Sequence, residues 1–223
     1  MTTHVNIICL ANSRKLNGHC VAGKMFNGKR PGDWLRPVSA TPTGELSTEN
    51  ISFQNGDQPK LLDIITVSIS EHTPHHYQVE NHQIDTDWYW EKKGEIAAKD
   101  LHKLQDNATG LWYNGHHSYS GYNDRIPEEV AKEEIRSSLV FIKPQSIAFT
   151  VGKEYNKRKI RAAFIYQQET YRLMVTDLDF EKELLQYDDG IYEFPEATLY
   201  VTISLGELYH GYCYKLVAAV IRA

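Results

Sequence analysis

Residues 138–176 read SLVFIKPQSIAFTVGKEYNKRKIRAAFIYQQETYRLMVT, and this stretch decides the fold class. It contains four short runs rich in Val, Ile, Phe and Tyr, at 138–142, 147–151, 160–166 and 171–176, separated by polar turn residues. Short apolar runs at this spacing are typical of strands in an all-β barrel or sandwich. The stretch is therefore predicted as a set of antiparallel strands.

The same pattern extends in both directions along the chain. Further strands are predicted at 4–10, 19–23, 34–39, 61–70, 199–204 and 212–221. The spacing of Ile96, Ala97, Leu101 and Leu104 suits a short amphipathic helix around 95–105. A second helix is predicted over 127–136, where proline is well placed at the first turn.

The length sets the number of domains. With 223 residues, 25.6 kDa and 41% hydrophobic residues, the chain can form one large domain or two small ones. Both halves contain several strands and little helix, which favours two β-barrels. We predict a mainly β fold with a first barrel at 1–105, an irregular connecting segment with a short helix at 106–136, and a second barrel at 137–223.

Several strings of the chain also resemble a known family. They are CLANSRKLNGHCVAG (9–23), DWLRPVS (33–39), SLVFIKP (138–144) and VTISLGELYHGYCYKLVAAVI (201–221). Together they resemble the bacterial family of dual OB-containing domain proteins. The resemblance implies two tandem OB-like barrels and, because OB barrels often bind oligonucleotides, a nucleic-acid or nucleotide ligand. It brings no catalytic residue to this chain.

The cysteines and the hydropathy pattern bear on the cellular compartment. Cys9, Cys20 and Cys213 are odd in number and form no CxxC motif, which indicates reduced thiols. No stretch approaches the ~18 consecutive apolar residues of a membrane span, and the N-terminus lacks the features of a signal peptide. A cytoplasmic protein without a membrane partner is expected.

Charge is unevenly distributed along the chain. The net charge of −5 and the pI of about 6.1 argue against a general nucleic-acid coat. However, residues 1–40 carry +5 and the remainder −10, and a second basic cluster lies at 153–161. This distribution predicts one bounded anion site, although solvated loops and strand edges would give the same pattern.

The first candidates for phosphate binding follow the first predicted strand. Asn12–Lys15 are expected in a turn, where Ser13, Arg14 and Lys15 would offer a hydroxyl and two cations to a phosphate. They lack the glycines and spacing of a P-loop. An ordinary polar hairpin is the alternative.

Further candidates combine aromatic and basic residues. Trp34 and Arg36 lie two positions apart and would share one face of a strand, suiting base stacking and phosphate contact. Arg158 in the second basic cluster and Lys215 in an apolar run are the other candidate cations. A structural tryptophan and a lysine that lies along a strand edge are the competing interpretations.

Three more residues complete the candidate set. Glu80 and Asn81 suit base-edge recognition or a turn cap, and Trp112 suits stacking or the filling of an interface. The histidines near residue 75 lack any recognised metal motif, so neither a metal nor a cofactor is expected.

Three functions are compatible with these observations. The first is a non-enzymatic protein that binds single-stranded nucleic acid or a nucleotide-like anion in a groove formed by two OB-like barrels. The second is a protein–protein adaptor that docks onto a larger enzyme. The third is a metal-dependent nuclease or nucleotide hydrolase using Asp177 and Asp179. No nucleophile elbow or glycine-rich nucleotide fingerprint is present, which favours a non-enzymatic role.

Overall fold

Strands form most of the regular structure in the computed structural model, which describes residues 1–223 as two units, Met1–Leu104 and Gln105–Ala223. The strands of the first unit are β1 (Thr3–Lys15), β2 (Gly18–Phe26), β3 (Pro31–Val38), β4 (Asp63–His72), β5 (Asn81–Ile84) and β6 (Glu91–Glu95). Its helices are α1 (Thr48–Ile51) and a 3₁₀ helix at Ala98–Leu104.

The first unit is a closed five-stranded barrel. The strands follow the order β1-β2-β3-β5-β4, and β4 pairs again with β1 to close it. Only β3 and β5 pair in parallel. Closure depends on the length of β1, whose first half pairs with β4 and whose second half pairs with β2.

The change of partner along β1 requires a close backbone approach. A Cβ atom on Gly23 of β2 would lie 2.1 Å from the carbonyl oxygen of Ile8, beside the bulge between Cys9 and Ala11. Glycine at this position therefore lets the backbone of β2 approach the backbone of β1 closely where β1 bends. Alternate residues of the strands, among them Ile7, Val21 and Ile65, fill the barrel interior.

The second unit has eight strands and two helices. They are β7 (Arg125–Pro127), α2 (Glu128–Glu134), β8 (Leu139–Ile142), β9 (Ser146–Glu154), β10 (Lys157–Tyr166), β11 (Glu169–Val175), α3 (Leu178–Leu184), β12 (Gly190–Tyr192), β13 (Leu199–Tyr209) and β14 (Tyr212–Arg222). Residues 106–136, which the sequence assigned to a connecting segment, fall within this unit.

The second unit repeats the strand order of the first. Strands β9, β10, β11, β14 and β13 take the places of β1, β2, β3, β5 and β4, and β11 again pairs in parallel with β14. The long first strand is divided here by Lys143, Pro144 and Gln145. As a result β8 pairs with β13 while β9 pairs with β10.

The mainly β fold with two OB-like barrels is therefore confirmed. The predicted turn at Asn12–Lys15 is wrong, because these residues continue β1 and the chain reverses at Leu16 and Asn17. Polar residues are accommodated in this strand because Ser13 hydrogen-bonds the Cys20 carbonyl and Asn12 hydrogen-bonds His19. None of the helices has the length and hydropathy that crossing a membrane requires.

Asp177 caps helix α3 and joins it to the barrel. Its Oδ1 accepts from the backbone N–H groups of Asp179 and Phe180, and its Oδ2 accepts from the N–H of Val220 at 2.8 Å. Burial raises the pKa of Asp177 to about 6. The structure thus places Asp177 in a capping role, while Asp179, its proposed partner in metal binding, is exposed.

We expect Asp177→Ala to lower the free energy of unfolding by about 2–4 kcal/mol, because it removes a helix cap and leaves a buried N–H without an acceptor. Asp179→Ala, in the first turn of the same helix, should change it by less than about 1 kcal/mol. Urea unfolding of both variants measures the difference, and equal effects would contradict the capping role.

Candidate functional site

Three of the sequence-predicted residues meet in the first unit as an internal ion pair. Arg36 lies 3.3 Å from Glu80 and donates to Asn81 Oδ1 at 3.2 Å. The side chains of Arg36 and Glu80 are both only 2% exposed. A buried guanidinium needs an opposite charge, so the three residues serve as internal partners of one another, and their phosphate and base-edge roles stay predictions.

Trp34 takes part in an internal contact on the same barrel. Lys24, its cross-strand neighbour, places its Nζ 5.5 Å from the indole centroid and donates to the Leu104 carbonyl at 2.8 Å. Lys24 is buried and Trp34 half-buried. One face of the proposed stacking residue is therefore in contact with a lysine of the same unit.

The predicted phosphate cluster at the start of the chain is divided between two sides of β1. Ser13 is buried and hydrogen-bonded to Cys20, whereas Arg14 is exposed and Lys15 half-exposed. Successive side chains of a strand point to opposite faces. The three residues therefore do not form one phosphate cradle.

The remaining candidates in the second unit also have internal partners. Arg158 donates to the carbonyls of Leu185 and Tyr187, just beyond helix α3, and pairs with Asp189. The indole N–H of Trp112 donates to the Ser137 carbonyl at 2.8 Å. These contacts fasten segments of the fold, and the assignment of the two residues to ligand binding stays a prediction.

Sequence reasoning missed a cavity of about 380 Å³ on the outer face of the second barrel. Its floor is formed by Arg161 on β10, Met174 on β11 and Leu216 on β14, which are register neighbours on adjacent strands. Two chain reversals flank this floor, the turn between β9 and β10 and the turn between β13 and β14.

Tyrosines form the rim of this cavity. Tyr155 lies in the β9–β10 turn, Tyr209 ends β13, and Tyr119 comes from the segment that precedes β7. Their exposed fractions are 86%, 63% and 97%. Three large aromatic side chains around one cavity are a concentration of exposed apolar surface that marks a binding site. In the sequence, Tyr155 within the basic cluster at 153–161 is the feature that could have indicated this site.

A buried ion-pair network lies beneath the rim. Arg161 binds Glu154 through two hydrogen bonds of 2.9 Å and lies 3.6 Å from Asp124. The guanidinium holds the pKa of Glu154 below its usual range. Arg161 therefore has two carboxylates as partners, and its charge is neutralised within the protein.

Exposed lysines lie at the edge of the same face. Lys157 and Lys159 alternate with Arg161 along β10 and so project to the same side. Lys157 is exposed and Lys159 partly exposed. These two lysines supply positive charge next to the tyrosine rim, whereas Lys153 on β9 is the register partner of Arg158 and so lies on the opposite face.

Residues 113–124, here called the strap, hold Tyr119 at the cavity. Asp124 accepts hydrogen bonds from the backbone N–H and the hydroxyl of Ser118, and Asn123 accepts from the N–H of Gly115 at 2.8 Å. A Cβ atom on Gly121 would lie 1.7 Å from the Asp124 carboxylate. The strap is therefore wound tightly around a buried acidic side chain.

Lys215 fastens the start of the strap. Its Nζ donates to the Tyr113 carbonyl at 2.7 Å and to Asn114 Oδ1 at 2.8 Å. Burial lowers the pKa of Lys215 to about 7, although Asp124 and Glu169 favour the charged form. Lys215 also lines the tyrosine-rimmed cavity, and its approach to an anion stays a prediction.

A family model described as the dual OB-containing domain matches residues 5–220. The chain belongs to this family. The two barrels described above are its two OB domains. No curated protein matches the sequence.

Two solved structures of other proteins show a weak likeness to this OB-domain chain. One is a murine DNA binding protein bound with double-stranded DNA, at 8% identity, 100% coverage of this chain, 97% of that chain and a TM-score of 0.32. The other is the p204 HINb domain, at 11% identity, 95% coverage of each chain and a TM-score of 0.32.

We expect the burial of Lys215 to give stability a distinct pH dependence. Because its pKa is about 7 in the folded state and about 10.5 in the unfolded state, the unfolded chain binds more protons between these values. The free energy of unfolding should therefore rise between about pH 7 and about pH 9.5. This rise should exceed the corresponding change in Lys215→Met by more than about 1 kcal/mol. Urea unfolding at both pH values tests this, and parallel behaviour of the two proteins would contradict it.

Proposed function

We propose that the chain binds single-stranded nucleic acid at the tyrosine-rimmed cavity of the second barrel. The observation that carries this proposal is the position of the three exposed tyrosines. They surround the outer face of β10 and β11, between the β9–β10 and β13–β14 turns. In OB barrels the second and third strands and the corresponding loops bind oligonucleotides and oligosaccharides.

The tyrosines favour a single strand over a duplex. Aromatic side chains bind nucleic acid by stacking on the faces of bases, and in a duplex those faces are covered by neighbouring base pairs. Tyr119, Tyr155 and Tyr209 are exposed enough to stack on unpaired bases. Stacking tolerates any base, so little sequence preference is expected from it.

The charges favour an oligonucleotide over a free nucleotide. Arg161 inside the cavity is already paired with Glu154 and Asp124, so it is a poor phosphate ligand. Lys157 and Lys159 lie on the same strand outside the cavity floor. We infer that bases occupy the cavity while the phosphates of the strand follow the lysines. This proposal places the site within one barrel, and not in the groove between two barrels that the sequence suggested.

We expect Tyr155→Ala and Tyr209→Ala each to weaken the binding of a labelled oligothymidylate by about tenfold, because base stacking contributes about 1–3 kcal/mol per base. Fluorescence anisotropy on the full chain measures the affinity. Tyr89→Ala is the matched control, because Tyr89 is 63% exposed and lies in the first unit. Equal affinities for all three variants and the wild type would contradict the assigned site.

We expect affinity to fall as salt rises, and Lys157→Gln to reduce the slope of log affinity against log salt by about 0.7, the value for one phosphate contact to a single strand. Lys143→Gln is the control, since Lys143 is an exposed lysine between β8 and β9. No affinity at low salt, or affinity that is independent of salt, would overturn the proposed function.

A further inference from the structure

The strap has two fastenings that involve titratable side chains, Lys215 and His117, and of the two only Lys215 also lines the cavity. We propose that Lys215 and His117 are positioning residues that hold the strap, and with it Tyr119, at the cavity, and that protonation releases the strap. The inference rests on the proposed function for its ligand and adds a control of the same site by pH.

The first fastening is a polar cluster around Lys215. Besides the two hydrogen bonds to Tyr113 and Asn114, its Nζ lies 5.3 Å from the ring centroid of Tyr171. The Tyr171 hydroxyl in turn accepts from Asn114 Nδ2 at 3.0 Å. The titratable and charged groups that act on Lys215 are Asp124 and Glu169, from the strap and from β11.

The second fastening is a hydrogen bond that only an unprotonated ring nitrogen can accept. The backbone N–H of Asn123 donates to His117 Nδ1 at 2.8 Å, and Asn123 is buried. The imidazole also stacks on Tyr122, with centroids 4.2 Å apart. The charged groups in this part of the strap are Asp124 and Arg172, whose guanidinium donates to the Ser120 carbonyl.

Both fastenings give the same sign of pH dependence. A proton on His117 Nδ1 removes the acceptor of the Asn123 N–H. Burial of Lys215 disfavours its charged form, and opening of the strap would return that charge to water. The closed strap therefore holds fewer protons than the open one, so closure is favoured as pH rises.

The first test is the pH profile of oligothymidylate binding at constant ionic strength. We expect affinity to fall about fivefold from about pH 8 to about pH 6, because a proton on Nδ1 removes the acceptor of the Asn123 N–H. His117→Asn should flatten this profile, since the amide oxygen can accept the same hydrogen bond and does not titrate. His76→Asn is the control, because His76 is an exposed histidine of the first unit. A profile that His117→Asn leaves unchanged would overturn the role of His117.

The second test is a double-mutant cycle between Lys215 and Tyr119. Lys215→Met keeps the aliphatic stem and should weaken binding about fivefold, the effect of losing hydrogen bonds that position a contact. If Lys215 acts through Tyr119, the same substitution should have no further effect in the Tyr119→Ala background. Fully additive losses would show that Lys215 acts independently of Tyr119, through the fold or through direct contact with the ligand, and would overturn its positioning role.

A measurement without ligand separates this inference from the proposed function. The N–H groups of Gly115, Ser118 and Asn123 are hydrogen-bonded within the strap. After correction for intrinsic exchange, their hydrogen-exchange protection should fall on acidification in the wild type and less so in His117→Asn. If protection falls in this way but no oligonucleotide binds, the proposed function fails and the strap inference stands. Protection that does not depend on pH overturns the strap inference whether or not oligonucleotides bind.

Discussion

The burial of Arg161 is the constraint on which the architecture of the second barrel's outer face depends. A guanidinium that is 8% exposed must be paired, because an isolated buried charge would cost several kcal/mol. Its two carboxylates come from different parts of the chain. Glu154 immediately precedes the turn that carries Tyr155, and Asp124 ends the strap that carries Tyr119. One ion-pair network thus fixes two of the three tyrosines relative to the sheet.

The first barrel also contains a buried arginine that is paired with a carboxylate, but the surroundings of the pair differ. Arg36 on β3 is buried and paired with Glu80, which lies directly before β5. Its partners there include a carboxylate and an amide group. Two barrels with one strand order therefore carry a comparable buried pair, and in the second barrel this pair lies beneath a rim of exposed tyrosines. This difference illustrates why a fold alone does not assign a function.

The sequence predicted the strands well because their signal is local. Alternating apolar residues and turn residues sufficed for β8 to β11, β13 and β14. The prediction failed at Asn12–Lys15, where polar side chains satisfied by cross-strand partners resemble a turn. It also did not show the internal partners of Arg36, Arg158 and Lys215, which are distant in the sequence; Lys215 and Tyr113 are 102 residues apart. Local patterns cannot show which distant carbonyl or carboxylate will neutralise a charge.

Because the strap winds around Asp124, positions only two residues apart differ sharply in whether they tolerate a side chain. Position 121 admits no side chain, because any Cβ there would overlap the carboxylate. Position 119, two residues earlier, places an almost fully exposed side chain at the cavity and makes few demands on the fold. Gly121 therefore preserves the shape of the strap, while the side chain at position 119 can vary without disturbing that shape. Replacing Tyr119 alone would therefore change the rim of the cavity and leave the sheet beneath it unaltered.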